Sequence, residues 1–363
     1  MRMVHSTWKS GSKWSTDPMG DELNHIELKK PHYAVQDGLR TYLDEQGRSA
    51  TLPLQYEDLL RWDGLMPQVD RLGQATLWQT VLLRPGEMRD MQARLVEIYQ
   101  LLIADGRKID YLGVASIDFC AYGNSQPFRI KVLNQINDNH DYFYIKKADS
   151  SRVYGLELEH MLSPNRINYL VDGNTLVEEH IIGVPGDEFI KDPERFGGGH
   201  LNPVRLSKEF VKFNERCFVR LLGDMRAYNF VVDVIQDFDQ VQYRLRSIDF
   251  DQQSFEGRVR IYLPQFYKEN LPFVRYAEQT ISLETVEQYR SEERALLRKR
   301  QKLAKEELEQ LFAVMRTDTI STKANTRELA TELANWHKDK GFLELDSMGA
   351  VMERHLASLL GPR

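Results

Sequence analysis

The region between residues 117 and 182 constrains the fold of this chain most. It holds five apolar runs typical of strands, with one short helix after the third run, and turn-forming residues separate the runs. The strand-like runs are residues 117–121, 128–136, 142–147, 168–170 and 176–182, and the helix carries Leu156, Leu158, Met161 and Leu162. We therefore expect a small β-rich domain with one inserted helix.

Helical patterns dominate the rest of the chain. Apolar residues recur there at three- and four-residue spacing, which predicts amphipathic helices. The helical segments are residues 85–105, 207–221, 289–315, 326–337 and 347–360, and further strand-like runs are residues 76–83, 230–235 and 243–248. The order of elements predicts an α+β protein whose C-terminal third is helical.

Composition excludes several classes of protein. The 363 residues are 42% hydrophobic and 28% charged, with a mean hydropathy of -0.50, which favours a soluble globular chain. The net charge of -6 argues against nucleic-acid binding, and two cysteines, Cys120 and Cys217, indicate a reducing compartment. The N-terminus lacks the apolar run of a signal peptide, and no stretch approaches the roughly 20 apolar residues of a membrane span. We therefore expect a cytoplasmic protein.

The strongest local motif is an acid and an amide followed by a second acid. Asp224 precedes Asn229 by five residues, an apolar strand follows, and Asp249 ends the next apolar strand. The separation of 25 residues suits a hairpin that brings the two loops side by side. Carboxylate and amide oxygens are ligands that Mg²⁺ prefers. The alternative for Asp224 and Asn229 is an ordinary turn with local capping bonds, and a second Ile-Asp-Phe, at Asp118, is typical of an ordinary strand.

This motif resembles the kinase superfamily, particularly its aminoglycoside-phosphotransferase-like and atypical branches. Those enzymes use an Asp-x-x-x-x-Asn loop followed by an Ile-Asp-Phe strand end. The resemblance implies that Asp224 is the catalytic base and that Asn229 and Asp249 hold Mg²⁺. Arg226 lies two residues after the base. It would neutralise the transferring phosphate, or else be a surface arginine paired to an acid.

The upstream segment resembles a kinase N-lobe. Residues 143–147 are similar to the lysine-bearing third strand, in which Lys146 or Lys147 would face the phosphates of ATP, and we favour Lys146. Glu157 or Glu159 on the following helix would pair with that lysine.

Residues 176–183 resemble the hinge strand of the same kinases. The resemblance implies that the backbone of Glu179, His180 and Ile181 bonds adenine. The alternative is an ordinary strand that ends in a Gly turn.

Three departures distinguish the chain from the family pattern. The turn at residues 121–125 is not glycine-rich, Leu222 stands where the family often has His, and Asp251 replaces the Gly of Asp-Phe-Gly. Asp251 is either an extra metal ligand or a rigid-loop residue.

The resemblance implies a two-lobed protein-kinase-like fold with additions at both ends. We expect an N-terminal arm and helical extension over residues 1–108, an N-lobe over 109–182, a C-lobe over 183–325 and a C-terminal helical extension over 326–363. The expected activity is ATP- and Mg²⁺-dependent phosphotransfer to a hydroxyl of a small molecule, a lipid or a protein. The alternative is a pseudokinase scaffold that binds a nucleotide, or a protein partner through its N- or C-terminal helices.

Overall fold

The computed structural model describes residues 30–70, 73–196, 201–237 and 240–361. The first 29 residues of the expected N-terminal arm lie outside these ranges. The described chain is an α+β protein with a sheet-rich part and a helical C-terminal part. It divides into two compact units. The sheet unit comprises residues 30–150 and 167–180, and the helical unit comprises residues 151–166 and 181–361.

The sheet unit is built on seven antiparallel strands among the described residues, in the order β1-β2-β3-β4-β5-β7-β6. Their bounds are β1 Gly64–Val69, β2 Ala75–Leu82, β3 Leu112–Phe119, β4 Phe128–Asn134, β5 His140–Lys147, β6 Tyr169–Asp172 and β7 Thr175–Glu179. Its helices are α1 Asp37–Glu45, α2 Tyr56–Leu59 and α3 Pro85–Ala104.

The predicted helix α3 covers one face of this sheet. Pro85 stands in the first turn, where its missing N–H costs nothing. The helix ends where Asp105 and Gly106 take left-handed conformations, with φ of 50° and 76°. Its buried stripe joins the sheet core, which includes Leu95, Ile98, Phe119, Phe128 and Phe143. The core of this unit therefore lies between α3 and the sheet.

The helical unit contains nine α-helices among its described residues and a three-stranded sheet. The helices are α4 Ser150–Leu162, whose first residue belongs to the sheet unit, α5 Gly186–Phe189, α6 Pro193–Phe196, α7 Pro203–Arg220, α8 Leu271–Thr280, α9 Leu283–Leu303, α10 Lys305–Met315, α11 Lys323–His337 and α12 Met348–Leu360. The strands are β8 Val184–Pro185, β9 Phe230–Asp237 and β10 Gln240–Ser247, in the order β10-β9-β8.

The β9–β10 hairpin is the feature that positions the candidate site. Phe230 pairs with Ser247 at its open end. The residues that precede β9 and those that follow β10 therefore leave the sheet next to each other. The hairpin expected from the spacing of Asp224 and Asp249 is confirmed.

The expected boundaries differ from the structure in several places. The expected limit at residue 108 lies within the sheet unit, because β1 and β2 belong to the same sheet as β3–β7. The limit at residue 325 lies within the helical unit. The strand expected over 176–182 ends at Glu179. No helix of the described residues has the length and apolar character needed to cross a membrane.

Candidate functional site

The loop that leads into β9 has a conformation imposed by local hydrogen bonds. After α7 ends, Leu221 and Asp224 both adopt left-handed backbone conformations, with φ of 50° and 54°. Such values are uncommon for residues with a side chain and often mark functional loops. The Asn229 side-chain Nδ2 donates to the Asp224 carbonyl at 2.7 Å, and the Arg226 N–H donates to the same carbonyl at 2.8 Å. The loop is thus capped locally, as one of the sequence alternatives predicts, and the amide nitrogen of Asn229 faces inward.

Tyr267 supports this loop from outside it. Its hydroxyl accepts the Asp224 backbone N–H at 3.1 Å and donates to the Ile261 carbonyl at 2.8 Å. Burial, followed by the charge of Asp224, raises the pKa of Tyr267 well above its usual value. The phenol therefore stays protonated and keeps its role as donor.

The Asp224 carboxylate is fixed by an arginine. Arg226 Nε donates to Asp224 Oδ1 at 2.7 Å, and Arg226 Nη1 donates to Glu269 Oε1 at 3.0 Å. The guanidinium also lies 5.0 Å from the centre of the Tyr267 ring. Two acids and an aromatic ring therefore hold Arg226, which agrees with the sequence alternative of an arginine paired to an acid.

Asp249 lies two residues beyond β10 and is joined to the helix α4 by a buried arginine. Arg152 Nη1 donates to Asp249 Oδ1 and to Asp251 Oδ1, each at 2.9 Å. The side chains of Arg152 and Asp251 are 2% and 8% exposed, whereas that of Asp249 is 32% exposed. No motif of the sequence indicates Arg152. It lies 97 residues before Asp249 in the chain, so no local pattern could reveal the contact.

Helix α4 also contacts the candidate site through a glycine and a glutamate. A Cβ atom on Gly155 would lie 2.9 Å from the Phe250 Cβ, so the helix backbone approaches the Ile-Asp-Phe segment as closely as glycine permits. Glu159 pairs with Arg220 at the end of α7. Glu157 is buried in the same helix, and its pairing with the N-lobe lysine stays a prediction.

In the sheet unit, Lys146 is buried on β5 and paired with a neighbour in β7. Its Nζ lies 2.6 Å from Glu178 Oε2 and 5.3 Å from the centre of the Tyr144 ring. Lys146 is opposite Leu176 in the ladder and Tyr144 is opposite Glu178, so the lysine and Glu178 are diagonal neighbours on one face. Lys147 points to the other face because successive strand residues alternate. Glu178 was not among the partners expected from the sequence, because its register with β5 was unknown.

The three residues of the expected hinge lie where one unit ends and the next begins. Glu179 ends β7 and accepts a hydrogen bond from Asn168 Nδ2 at 2.8 Å. His180 Nδ1 lies 3.2 Å from the Tyr144 hydroxyl, and burial lowers the pKa of His180. The sheet unit ends at His180, and the helical unit resumes at Ile181. The unit boundary therefore falls inside the expected hinge.

Each unit thus contains part of the predicted residue set. The helical unit brings together Asp224, Arg226, Asn229 and Asp249, and the sheet unit contains Lys146, Glu179 and His180. Within the described part of the chain, no group of three or more His, Cys, Asp or Glu side chains is arranged as a metal centre. Models of protein families and the curated proteins, compared with the whole sequence, give no match.

Proposed function

We propose that the chain is an ATP- and Mg²⁺-dependent phosphotransferase that acts on a hydroxyl group. One observation carries the proposal: two hydrogen bonds join the residues expected to do the chemistry. The Ile248 N–H donates to the Asn229 carbonyl at 3.0 Å, and Asn229 Nδ2 donates to the Asp224 carbonyl at 2.7 Å. The proposed base, the amide and the strand end that bears Asp249 are therefore one connected structure.

The side-chain oxygens at this strand end suit a magnesium ion. Asn229 uses its amide nitrogen within the loop, which leaves its oxygen as the group that can bind a cation. The Asp249 side chain is 32% exposed and so can be reached from solvent. An amide oxygen and a carboxylate are hard ligands of the kind Mg²⁺ takes together with phosphate oxygens and water. A bound Mg²⁺ would offset the charge on the phosphate oxygens during transfer.

Asp224 is the group proposed to accept the proton of the attacking hydroxyl. The Arg226 contact fixes the orientation of its carboxylate, and base catalysis requires correct reach before a tuned pKa. Arg226 also donates to Glu269, so two carboxylates offset the charge of its guanidinium. We therefore assign Arg226 to the orientation of Asp224 more than to the neutralisation of the transferring phosphate. The contributions of Lys146 and of the hinge backbone to ATP binding rest on the sequence resemblance. The hydroxyl belongs to a small molecule, a lipid or a protein.

A pseudokinase scaffold is the second candidate, and one specific observation favours it. Both functional carboxylates already have arginine partners, Arg226 on Asp224 and Arg152 on Asp249. A chain that stabilises its own acids in this way needs no metal to keep its loops in place.

Nucleotide binding and turnover separate the two candidates. We expect the full chain to be stabilised against heat by ATP with Mg²⁺, because a ligand that binds only the folded state raises the unfolding midpoint. Asp249→Asn should lose this Mg²⁺-dependent shift and turnover. Asp224→Ala should keep the shift while turnover, measured against a panel of hydroxyl acceptors or as ATP hydrolysis, falls roughly 10²–10⁴-fold.

Asp118→Asn is the matched control, since Asp118 is a buried aspartate in the other Ile-Asp-Phe sequence and contacts an arginine. It should retain both the shift and turnover. A wild-type chain that binds Mg²⁺ with ATP but turns over no faster than Asp224→Ala would favour the pseudokinase. A chain that is not shifted by ATP under any condition would contradict the phosphotransferase.

A further inference from the structure

We propose that Arg152 and Asp251 act together as positioning residues that set the charge and the orientation with which Asp249 holds a divalent cation. The inference rests on the proposed function, because it concerns the same metal-binding acid. It assigns a role to an arginine that no sequence motif identified, and it gives Asp251 a role other than that of metal ligand.

The Arg152 guanidinium bridges the two carboxylates. One nitrogen of Arg152, Nη1, donates to both carboxylates at 2.9 Å, and Nη2 donates to the Ile248 carbonyl at 3.3 Å. The Asp251 backbone N–H donates to Asp249 Oδ1 at 3.0 Å. Asp249 Oδ1 therefore receives two donors, one from α4 and one from its own loop, and these restrict the rotation of the carboxylate.

The cluster is buried at one end and open at the other. Arg152 and Asp251 are almost wholly inaccessible, and only Asp249 is substantially exposed. These three side chains carry one positive and two negative charges, and Asp249 is the most open of them to solvent. A divalent cation that approaches from solvent would therefore meet the charge of the whole cluster at that carboxylate.

Asp251 determines how much of that charge Asp249 retains. If Asp251 were neutral, Arg152 would lose one of the two carboxylates that it contacts here, and the cluster would carry one negative charge fewer. A cation is bound more weakly by a less negative cluster, because the attraction between opposite charges is reduced. The burial of Asp251, whose side chain is 8% exposed against 32% for Asp249, argues against direct metal ligation and for charge balance.

The test is direct metal binding to the full chain. Mn²⁺ is titrated into the protein together with a non-hydrolysable ATP analogue, and bound Mn²⁺ is followed by electron paramagnetic resonance. Residues that orient metal ligands typically change affinity or activity by roughly 10- to 100-fold when they are replaced. We expect Asp251→Asn to weaken Mn²⁺ binding by about that factor.

The control is Asp118→Asn, which also neutralises a buried aspartate that contacts an arginine, Arg129, in the sheet unit. Its Mn²⁺ affinity should equal that of the wild type. An Asp251→Asn chain that is folded by circular dichroism and binds Mn²⁺ within twofold of the wild type would overturn the inference.

A second variant separates charge from geometry and avoids a lone buried charge. Arg152→Met combined with Asp251→Asn removes one positive and one negative group, so the net charge of the cluster is the same as in the wild type. Replacing both members of a buried pair is often tolerated, whereas removing one is not. We expect this double variant to recover most of the Mn²⁺ affinity that Asp251→Asn loses, while turnover stays low because the Asp249 carboxylate keeps only one of its two donors, the Asp251 backbone N–H.

The outcomes distinguish this inference from the proposed function. A double variant that binds Mn²⁺ as weakly as Asp251→Asn would refute charge balance. A wild-type chain that binds no Mn²⁺ with the nucleotide would refute the proposed function, and this inference with it. Recovery of affinity without recovery of turnover would support both parts of the proposal.

Discussion

Replacement of Gly155 by alanine tests the packing of α4 against the strand end that bears Asp249. An added Cβ would lie 2.9 Å from the Phe250 Cβ, 3.2 Å from the Gln253 Cβ and 3.2 Å from the Phe250 Cδ1. Two of these atoms are Cβ atoms, which cannot move without their backbone. The substitution therefore overpacks the contact, which costs roughly 1–3 kcal/mol.

Helix propensity opposes this cost. Alanine is favoured over glycine within a helix by about 1 kcal/mol. The overpacking term is equal or larger, so we expect Gly155→Ala to be destabilising by about 0–2 kcal/mol in the free energy of unfolding. Gly86→Ala is the control, because Gly86 lies in the first turn of α3 and no heavy atom comes within 4 Å of its added Cβ. The control should be neutral or slightly stabilising.

The assay is urea unfolding of both variants, with amide hydrogen exchange of α4 as a local probe. A change in the urea midpoint at constant slope reports a change in stability. We expect exchange in α4 to be faster in Gly155→Ala than in the wild type, since exchange reports local opening. Gly155→Ala could instead increase the free energy of unfolding by the full difference in helix propensity between alanine and glycine. In that case α4 would not approach Phe250 as described, and the role assigned to Arg152 would lose its basis.

Two further predictions concern the C-terminal helices. Gly349→Ala should destabilise the chain more than Gly155→Ala, because its added Cβ would lie 2.1 Å from the Met315 carbonyl oxygen. That oxygen belongs to the backbone, so no rotamer change can move it. The measurement is the urea midpoint, which should be lower for Gly349→Ala than for Gly155→Ala. Burial lowers the pKa of His355 to about 3 and that of His337 to about 4. The folded state therefore favours neutral imidazoles, and their contribution to stability is complete above about pH 6.5 and is lost as the pH falls towards 4. Replacement of His355 by leucine should make the urea midpoint less dependent on pH in that window, and an unchanged dependence would contradict the assignment.

Much of the local structure could be predicted because its signals are local. The periodicity that begins at Pro85 predicted α3, and the apolar runs predicted β2, β4 to β6, β9 and β10 to within about three residues, whereas β3 begins at Leu112, well before the expected start at residue 117. The strand β1 was missed because Pro67 lies within it. A proline has no N–H for a strand ladder, and β1 tolerates it as an edge strand with a partner on one side only.

The candidate site was only partly predictable for the same reason. The hairpin between Asp224 and Asp249 follows from spacing along the chain. The contacts of Arg152 with Asp249 and of Lys146 with Glu178 span 97 and 32 residues, and they depend on the rotation of one helix and the register of two strands. Neither property is determined by local propensity. The sequence therefore located Asp249 and Lys146 but not Arg152 and Glu178, the partners that hold them.

The two Ile-Asp-Phe sequences show why context decides the role of an aspartate. Asp118 lies inside β3 with strands on both sides, opposite Arg129 in β4 and Thr80 in β2. Hydrogen bonds from both neighbouring strands satisfy its carboxylate, and its side chain is 2% exposed. Asp249 lies beyond the end of its strand, where Arg152 bonds one of its oxygens and the side chain is 32% exposed. A carboxylate enclosed by a sheet can stabilise only the sheet, whereas one that a buried arginine holds at a strand end remains accessible to a ligand.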